Sequence, residues 1–357
     1  MVKYGQKSFM DIQNIKEIIN LNTRSTSGVW KSGDICLFYK ILKKSDYARE
    51  ISGYENIQDF YPVPELLLKY KTNNTGLLVF EYEKSIGLNQ GLLSDVYVKY
   101  GNHYKIAQKN VINMYKNSFL RTLKKTKSNS STIFFEDRVP TRLKKFYPDS
   151  FWNQYNNFHL KLNDKEITLT IRHIQSSIIN FFNNNKKRNN WSVISQCDPG
   201  DLNIGIKPII FDYLAGGYNP IMAEFAAFFW YNLAQNSYFS PIYNKITFQN
   251  HPNVLSNLDL VNMDHNRLTH KIDRRRKLFI EKYIDNILEP IFLKINDYPD
   301  WYEHFKNYLA MRILCVFDLA QMPTKDVVLS LAYLDFFYNK NISTLSDLKK
   351  SLYEIHP

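Results

Sequence analysis

The stretch Gln196-Cys-Asp-Pro-Gly-Asp-Leu-Asn-Ile-Gly-Ile-Lys-Pro-Ile-Ile-Phe-Asp-Tyr213 holds the most chemistry in the smallest space. It offers a carboxylate (Asp198), an amide five residues on (Asn203) and a second carboxylate (Asp212) nine residues further. Ile209-Ile-Phe211 is apolar and β-prone, so Asp212 is expected at the end of a buried strand. Pro199 and Gly200 shape a tight loop between the polar groups. A hard cation such as Mg²⁺ takes oxygen ligands and shares them with substrate phosphates. Asn203 and Asp212, on opposite arms of a hairpin, suit that task and leave Asp198 as a base toward a hydroxyl. One aspartate near the nucleophile, with an Asn and an Asp on the metal, is the residue set of phosphoryl transfer.

These residues resemble the aminoglycoside phosphotransferase and choline kinase family. Those small-molecule kinases share the protein-kinase-like fold, and their catalytic loop reads H-x-D-x-x-x-x-N before a strand ending in I-D-[FWY]. Here the loop runs Gln196-Cys197-Asp198 to Asn203, then Ile210-Phe211-Asp212-Tyr213. Ala215-Gly-Gly-Tyr-Asn-Pro220 and Ala223-Glu-Phe-Ala226 resemble the A-G-x-x-x-P and D-[LI]-A that follow in the family. Glu224 then stands where the family has an aspartate that braces the loop. Gln196 replaces the usual histidine, and the Asn203–Asp212 hairpin is short for the family. The resemblance implies an α+β, bilobal protein-kinase-like fold with a small β-rich N-terminal lobe and a large, mainly helical C-terminal lobe. It implies ATP or GTP and Mg²⁺ as cofactors, Asp198 as the base, and Asn203 and Asp212 on the metal.

Upstream, the small lobe is expected over residues 1–83 and the catalytic and acceptor-binding lobe over 84–357. Ile12, Ile15, Ile18 and Ile19 predict a first short helix over 9–21. Val29-Trp30 and Ile35 to Leu42 flank a turn and predict a hairpin. Ser45 to Phe60 predicts a helix with Ser45 and Asp46 as candidate N-caps, and Pro62 and Pro64 end it. Glu65 to Tyr70 and Leu77 to Tyr82 predict a second strand pair. Alternation along Ile35-Cys-Leu-Phe-Tyr-Lys40 sets Cys36, Phe38 and Lys40 on one face. The family's phosphate-anchoring lysine then falls on Lys40 and its helix glutamate on Glu50. The Thr23–Gly28 turn, with Ser25, Ser27 and Gly28, takes the place of the phosphate-covering loop. Leu78 to Glu83, with Glu81 and Glu83, resembles the strand and hinge that meet the adenine edge.

Beyond residue 88 helical patterns dominate. Lys124 to Thr132 and Asn183 to Asn190 interrupt them as polar loops, and Trp191 to Tyr213 does so as a strand-loop-strand segment. Asp297, Asp300 and Glu303 are candidates for a cationic acceptor, and Arg274 to Lys277 for an anionic one. Aminoglycoside-like antibiotics, sugars and amino alcohols are all admissible acceptors. The chain has 357 residues, 44% of them apolar and 15% aromatic, which excludes a disordered polymer. The net charge of +12 suits an anionic partner. The crowding of Lys, Asn, Ile, Tyr and Phe traces much of it to composition bias. Neither basic loop interleaves aromatic residues, so nucleic acid is not the expected partner. Cys36, Cys197 and Cys315 form no C-x-x-C pair, so neither a disulfide framework nor a zinc site is expected. No apolar run has the length of a membrane span, and a cytoplasmic protein without a membrane partner is expected. The sequence leaves the oligomeric state open. The rival expectations are a kinase acting on a protein and a non-catalytic, pseudokinase-like binding protein.

Overall fold

The computed structural model describes residues 17–22, 26–32, 35–82, 91–99, 103–127, 138–185, 188–234, 242, 260–296 and 298–356. The chain begins with strands β1 (Glu17–Asn22), β2 (Thr26–Ser32) and β3 (Ile35–Lys43), then helix α1 (Lys44–Ile57) and strands β4 (Leu66–Lys71) and β5 (Thr75–Glu81). The five strands form one antiparallel sheet in the order β1-β2-β3-β5-β4. The helix expected over 9–21 is corrected where the structure describes it. Glu17-Ile-Ile-Asn-Leu-Asn22 pairs as strand with β2, because a short isoleucine-rich run fits period 2 as well as 3.6. Its pairing moves Ser27 and Gly28 out of the expected turn and into β2, opposite Lys40 and Tyr39. Ser25 and Glu83, with the expected lobe boundary at 83/84, lie outside the described residues.

Helix α1 starts one residue before Ser45, with Lys43 at its cap and no side-chain capping bond. Neither Ser45 nor Asp46 caps it, since β3 runs straight into the helix without a turn. Its inward side, Tyr47, Glu50, Tyr54 and Ile57, repeats every three to four residues.

The larger part follows. It comprises α2 (Leu93–Lys99), α3 (Tyr104–Thr122), β6 (Lys124–Thr126), α4 (Arg138–Phe146), α5 (Asp149–Tyr155), β7 (His159–Leu162), β8 (Lys165–Thr168), α6 (Ile174–Asn185), β9 (Asn190–Ser195), β10 (Gly217–Pro220), α7 (Ile221–Leu233), β11 (Val261–Asp264), β12 (Arg267–His270), α8 (Arg274–Tyr283), α9 (Glu289–Ile295), α10 (Trp301–Val316), α11 (Thr324–Asn339) and α12 (Leu345–Ile355). A π-turn at Ile284–Leu288 joins α8 to α9. Helix α7 is buried at every position and packs chiefly on α10, with α8 beside it. A helix apolar all round has to be central. Two small sheets are inserted, β10-β9-β6 and β11-β12-β7-β8. Lys124 to Thr126, expected in a loop, pairs instead with β9. The expected strand before Asp212 reduces to a single bridge, Ile204 to Ile210. Among the described residues no helix is long and apolar enough to cross a membrane.

The β12 and α12 ends meet in a buried polar chain. The Asn163 side-chain amide lies 2.9 Å from His356 Nδ1, His356 Nε2 lies 2.5 Å from the Tyr333 hydroxyl, and that hydroxyl lies 2.5 Å from His270 Nδ1. The amide donates to Nδ1, so neutral His356 donates from Nε2 and Tyr333 donates to His270. Burial holds His270 down to about 3 and His356 down to about 4, against an ordinary 6.5. Both imidazoles bind protons more readily in the unfolded chain. Their contribution to stability is therefore complete above about pH 6.5 and is lost as pH falls toward 4. Glu224, held up to about 7 by burial, acts with the opposite sign. The expected result is comparative: from pH 7.5 to 5 the wild type loses more melting temperature than the His270→Gln/His356→Gln variant, read by thermal denaturation at each pH. Parallel slopes would remove the histidines from the pH response.

Candidate active site

Strand β9 delivers the Gln196–Asn203 loop, and its register is held tightly. The Ile194 carbonyl accepts from the Tyr61 hydroxyl at 2.6 Å and from the Ser118 hydroxyl at 3.2 Å, and its N–H donates to Thr122 at 3.0 Å. Asn219 on β10 donates to the Ser195 carbonyl and hydroxyl at 3.1 and 3.0 Å. Gln196, fully buried, donates to the Tyr115 hydroxyl at 3.0 Å and so anchors the loop to α3. Glu224, also fully buried, lies beside Ser195 and Cys197, whose polar groups oppose the rise that burial gives its pKa. Within the loop, Gly200 N–H donates to the Asp198 carbonyl at 2.7 Å and Asn203 N–H to the Gly200 carbonyl at 2.9 Å. Cys197 adopts a φ of 54° and Asp212 a φ of 67°. For residues with a side chain this backbone is costly, and it clusters at sites where a group must be aimed. The Cys197 thiol is buried and its pKa pushed up, first by that burial and then by Glu224, so it is no nucleophile.

The Asp198 carboxylate is held from three sides. Its Oδ2 accepts from the Asn203 amide at 3.0 Å. Its Oδ1 accepts from the Tyr231 hydroxyl of α7 and from the Arg312 guanidinium of α10. Arg312 also lies over the Tyr231 ring at 4.4 Å. Burial raises the Asp198 pKa. Arg312 opposes that rise and the charge of Asp212 adds to it. A carboxylate raised this way is a stronger base than a solvated one.

Lys40 is 13% exposed and sits 2.5 Å from Glu50 Oε1 and 3.5 Å from Asp212 Oδ1. Burial works against its ammonium, and Glu50 and Asp212 more than reverse it, so its pKa lies above the ordinary value. Glu50 also accepts from the Tyr213 N–H at 3.2 Å, which ties α1 to the residue after Asp212. The Phe211 N–H donates to the Asn203 carbonyl at 2.9 Å, and Gly205 N–H to Ile209 at 2.8 Å. Asn203 thus lies opposite Phe211, the neighbour of Asp212, across a short hairpin. Asp212 is 43% exposed. Asn203 donates through its nitrogen to Asp198, so its amide oxygen is presented away from it. One carboxylate plus one amide oxygen fits a Mg²⁺ ion that takes its remaining ligands from phosphates and water. Among the described residues no group of three or more His, Cys, Asp or Glu could hold a metal by itself.

The α1 helix approaches this hairpin so closely that only glycine fits. A Cβ on Gly53 would lie 1.7 Å from the Tyr213 carbonyl oxygen, and one on Gly216 would lie 2.5 Å from the Gly53 oxygen. Asn56 donates to the Gly216 carbonyl at 3.2 Å beside them. Gly53→Ala is expected to cost about 1–3 kcal/mol of stability, because backbone must move. It should also weaken nucleotide binding by displacing Glu50 and Lys40 from Asp212. Denaturant unfolding and nucleotide titration of the same variant check both effects.

Glu81 ends β5, its N–H donating to the Glu65 carbonyl at 2.9 Å. Arg276, in the run expected either to meet an anionic acceptor or to form an exposed helix face, is 2% exposed and pairs with Asp201 at 2.5 Å, while Arg275 pairs with Asp273 at 2.6 Å. Asp297 lies outside the described residues, and Glu303 pairs with Lys306 at 2.7 Å. Glu303 stands nine residues before Arg312 on α10, ~13 Å along the axis from it. Tyr231 and Arg312 escaped sequence reasoning. A lone arginine in Leu309-Ala-Met-Arg-Ile-Leu-Cys-Val316 was the available signal, because such a residue in a buried helix needs a partner.

No family model matches the chain, and no curated protein matches it. Among solved structures it is similar to aminoglycoside phosphotransferase APH(4)-Ia, at 10% identity over 87% of this chain and 98% of that one, with a TM-score of 0.42. It is similar to a microcompartment-associated aminopropanol kinase at 7% identity over 92% and 94%, with a TM-score of 0.47. It is also similar to aminoglycoside phosphotransferase APH(3'')-Id from Streptomyces rimosus, at 12% identity over 79% and 97%, with a TM-score of 0.40. At these scores none of the three assigns a residue or an activity to this chain.

Proposed function

We propose that the protein is a phosphotransferase that moves the γ-phosphate of ATP or GTP to a hydroxyl of a small molecule. The observation that carries this is the convergence of two clusters on one hairpin: Lys40 with Glu50 and Asp212, and Asp198 with Asn203. Lys40, kept charged by its two carboxylates, anchors the nucleotide phosphates, and Glu50 orients it. Asn203 and Asp212 are the residues that would hold Mg²⁺, which when bound neutralises charge on the phosphates. Asp198 orients the acceptor hydroxyl and takes its proton as the oxygen bonds to the γ-phosphorus and the bond to the β-phosphate oxygen breaks. Little covalent work is asked of the protein, so placement and charge carry the rate.

The stretch after Asp212 turns within a few residues into β10 and α7, which leaves little chain for a peptide-docking segment. A small acceptor is favoured for that reason. The test is a coupled assay of nucleotide diphosphate release with ATP and with GTP, across a panel of hydroxylated metabolites and antibiotics, using Asp198→Asn as blank. Acceptor-stimulated release above the blank supports the assignment. Release equal to the blank with every compound contradicts it.

A further inference from the structure

Away from the loop at Asp198, the outer side of α3 is basic in an ordered way. Residues 96–135 contain no Asp or Glu and eight Lys or Arg. At the chain's average of 34 acids in 357 residues about four would fall there, and a bias toward lysine codons adds cations without removing acids. Helix α3 turns Val111, Tyr115 and Phe119 inward. Lys105, Lys109 and Lys116 lie within about 40° of one another around the helix and span ~17 Å along it. Lys105 and Lys109 are exposed and Lys116 is half-buried. Among the described residues no acid pairs with any of the three. The neighbouring run from α8 through the π-turn to α9 sorts its charges. Lys282 donates to Gln108 Oε1 at 3.1 Å and Lys294 to the Leu120 carbonyl at 2.8 Å, so both ammonium groups sit against α3. The acids of that run face α12 instead. Asp285 and Glu289 pair with Lys349 at 2.5 and 3.3 Å, and Glu281 lies beside Tyr353, whose pKa it raises. Burial and then the charge of Lys105 lower the Lys282 pKa, as like charges crowded together do.

We propose that this side of α3 and α9 docks on an anionic lipid surface, with Lys105, Lys109, Lys116 and Lys294 against the headgroups and Ile106 and Leu293 entering the interface. Ile106 is 60% and Leu293 81% exposed, the two most exposed large apolar side chains among the described residues. They are the chain neighbours of Lys105 and Lys294, at the two ends of the basic strip. Aliphatic side chains beside lysines gain from the boundary between headgroups and acyl chains, and each lysine near such a surface raises affinity roughly fivefold. A nucleic-acid duplex would use the same charges but give the aliphatic pair nothing to enter. Among the described residues no exposed aromatic ring stands between these lysines to stack on a single strand. Docking of this kind departs from the sequence expectation of a protein without a membrane partner, and it asks for no spanning helix. It is independent of the phosphotransferase reading.

The test is co-sedimentation of the full chain with two kinds of vesicle, phosphatidylcholine alone and phosphatidylcholine with about one third phosphatidylserine, near physiological salt. The wild type is expected to bind the anionic vesicles at least tenfold more tightly than the neutral ones. Lys105→Glu/Lys109→Glu is expected to weaken that binding at least tenfold. Lys144→Glu/Lys145→Glu changes the net charge equally at exposed positions of α4 and is expected to change it less than threefold. All of the substituted lysines are exposed, and circular dichroism checks that both variants keep the fold. No preference of the wild type for the anionic vesicles overturns the proposal. Equal losses in the two variants overturn it as well, because net charge and not the strip would then be at work. Tighter binding to a duplex DNA than to the anionic vesicles, lost in Lys105→Glu/Lys109→Glu, also overturns it and makes the strip a nucleic-acid surface.

Discussion

Asp198→Asn lowers turnover by about 10²–10⁴-fold, the usual weight of a general base, while nucleotide affinity stays within about twofold of wild type. Asparagine keeps the volume, and its one carbonyl oxygen can still accept from Arg312 and Tyr231 while its NH2 takes the place of the oxygen that accepts from Asn203, so the loop has no steric reason to move. What it loses is the capacity to take a proton. Asp198 is suited to that task because burial raises its pKa while Arg312 keeps the charged form accessible. Steady-state kinetics should show the loss in kcat, with little change in the KM for nucleotide. Retained turnover would remove Asp198 from the chemistry. A parallel collapse of nucleotide affinity would make it a structural residue instead.

Arg276→Ala is expected to destabilise the fold by about 3–5 kcal/mol, because it strands the Asp201 carboxylate in the interior. Asp201 sits two residues before Asn203 and is 4% exposed, and its partner Arg276 is 2% exposed. The Arg276 guanidinium also lies 4.1 Å over the Tyr97 ring. The Asp201 carbonyl accepts from the Ser94 N–H at 3.1 Å, so one residue of the loop ties α2 and α8 together. Removing both partners at once, as Asp201→Ala/Arg276→Met, should cost less than Arg276→Ala alone, because no charge is left unpaired. Urea unfolding of the three proteins measures this. A loss below about 1 kcal/mol for Arg276→Ala would show that water reaches Asp201 and that the pair does not hold the loop.

Much of the arrangement is legible in the chain because local chemistry constrains it. Lys40 is reachable from strand alternation, since Phe38 and Lys40 face α1 while Leu37 and Tyr39 pack with Val79 on the other side. Glu50 follows from helix spacing. Asp198, Asn203 and Asp212 stand within fifteen residues of one another, where a loop and a hairpin decide geometry. The first strand was less legible. Ile18-Ile19 carries no marker that separates period 2 from 3.6, and only pairing with β2 decides it. The β11-β12-β7-β8 sheet joins strands of four residues each from segments about a hundred residues apart, too short for a period to register. Arg312 reaches Asp198 across 114 positions, so sequence spacing says nothing of it. Its apolar helix does say that it must be paired, which is the physical clue that sequence reading can use. The Arg274–Lys277 run illustrates the converse. Four consecutive cations look like a surface, yet helical geometry turns Arg276 inward onto Asp201.

The most direct test of the central claim is calorimetric titration of ATP and of GTP into the wild type and Asp212→Ala, each with and without Mg²⁺. Asp212 pairs with Lys40 at 3.5 Å and is one of the two residues suited to the metal. The account predicts that at least one nucleotide binds the wild type and that Mg²⁺ tightens it by about tenfold or more. It predicts that Asp212→Ala keeps a weak, metal-independent affinity through Lys40. Binding of neither nucleotide to the wild type, or a Mg²⁺ effect that survives in Asp212→Ala, would contradict it.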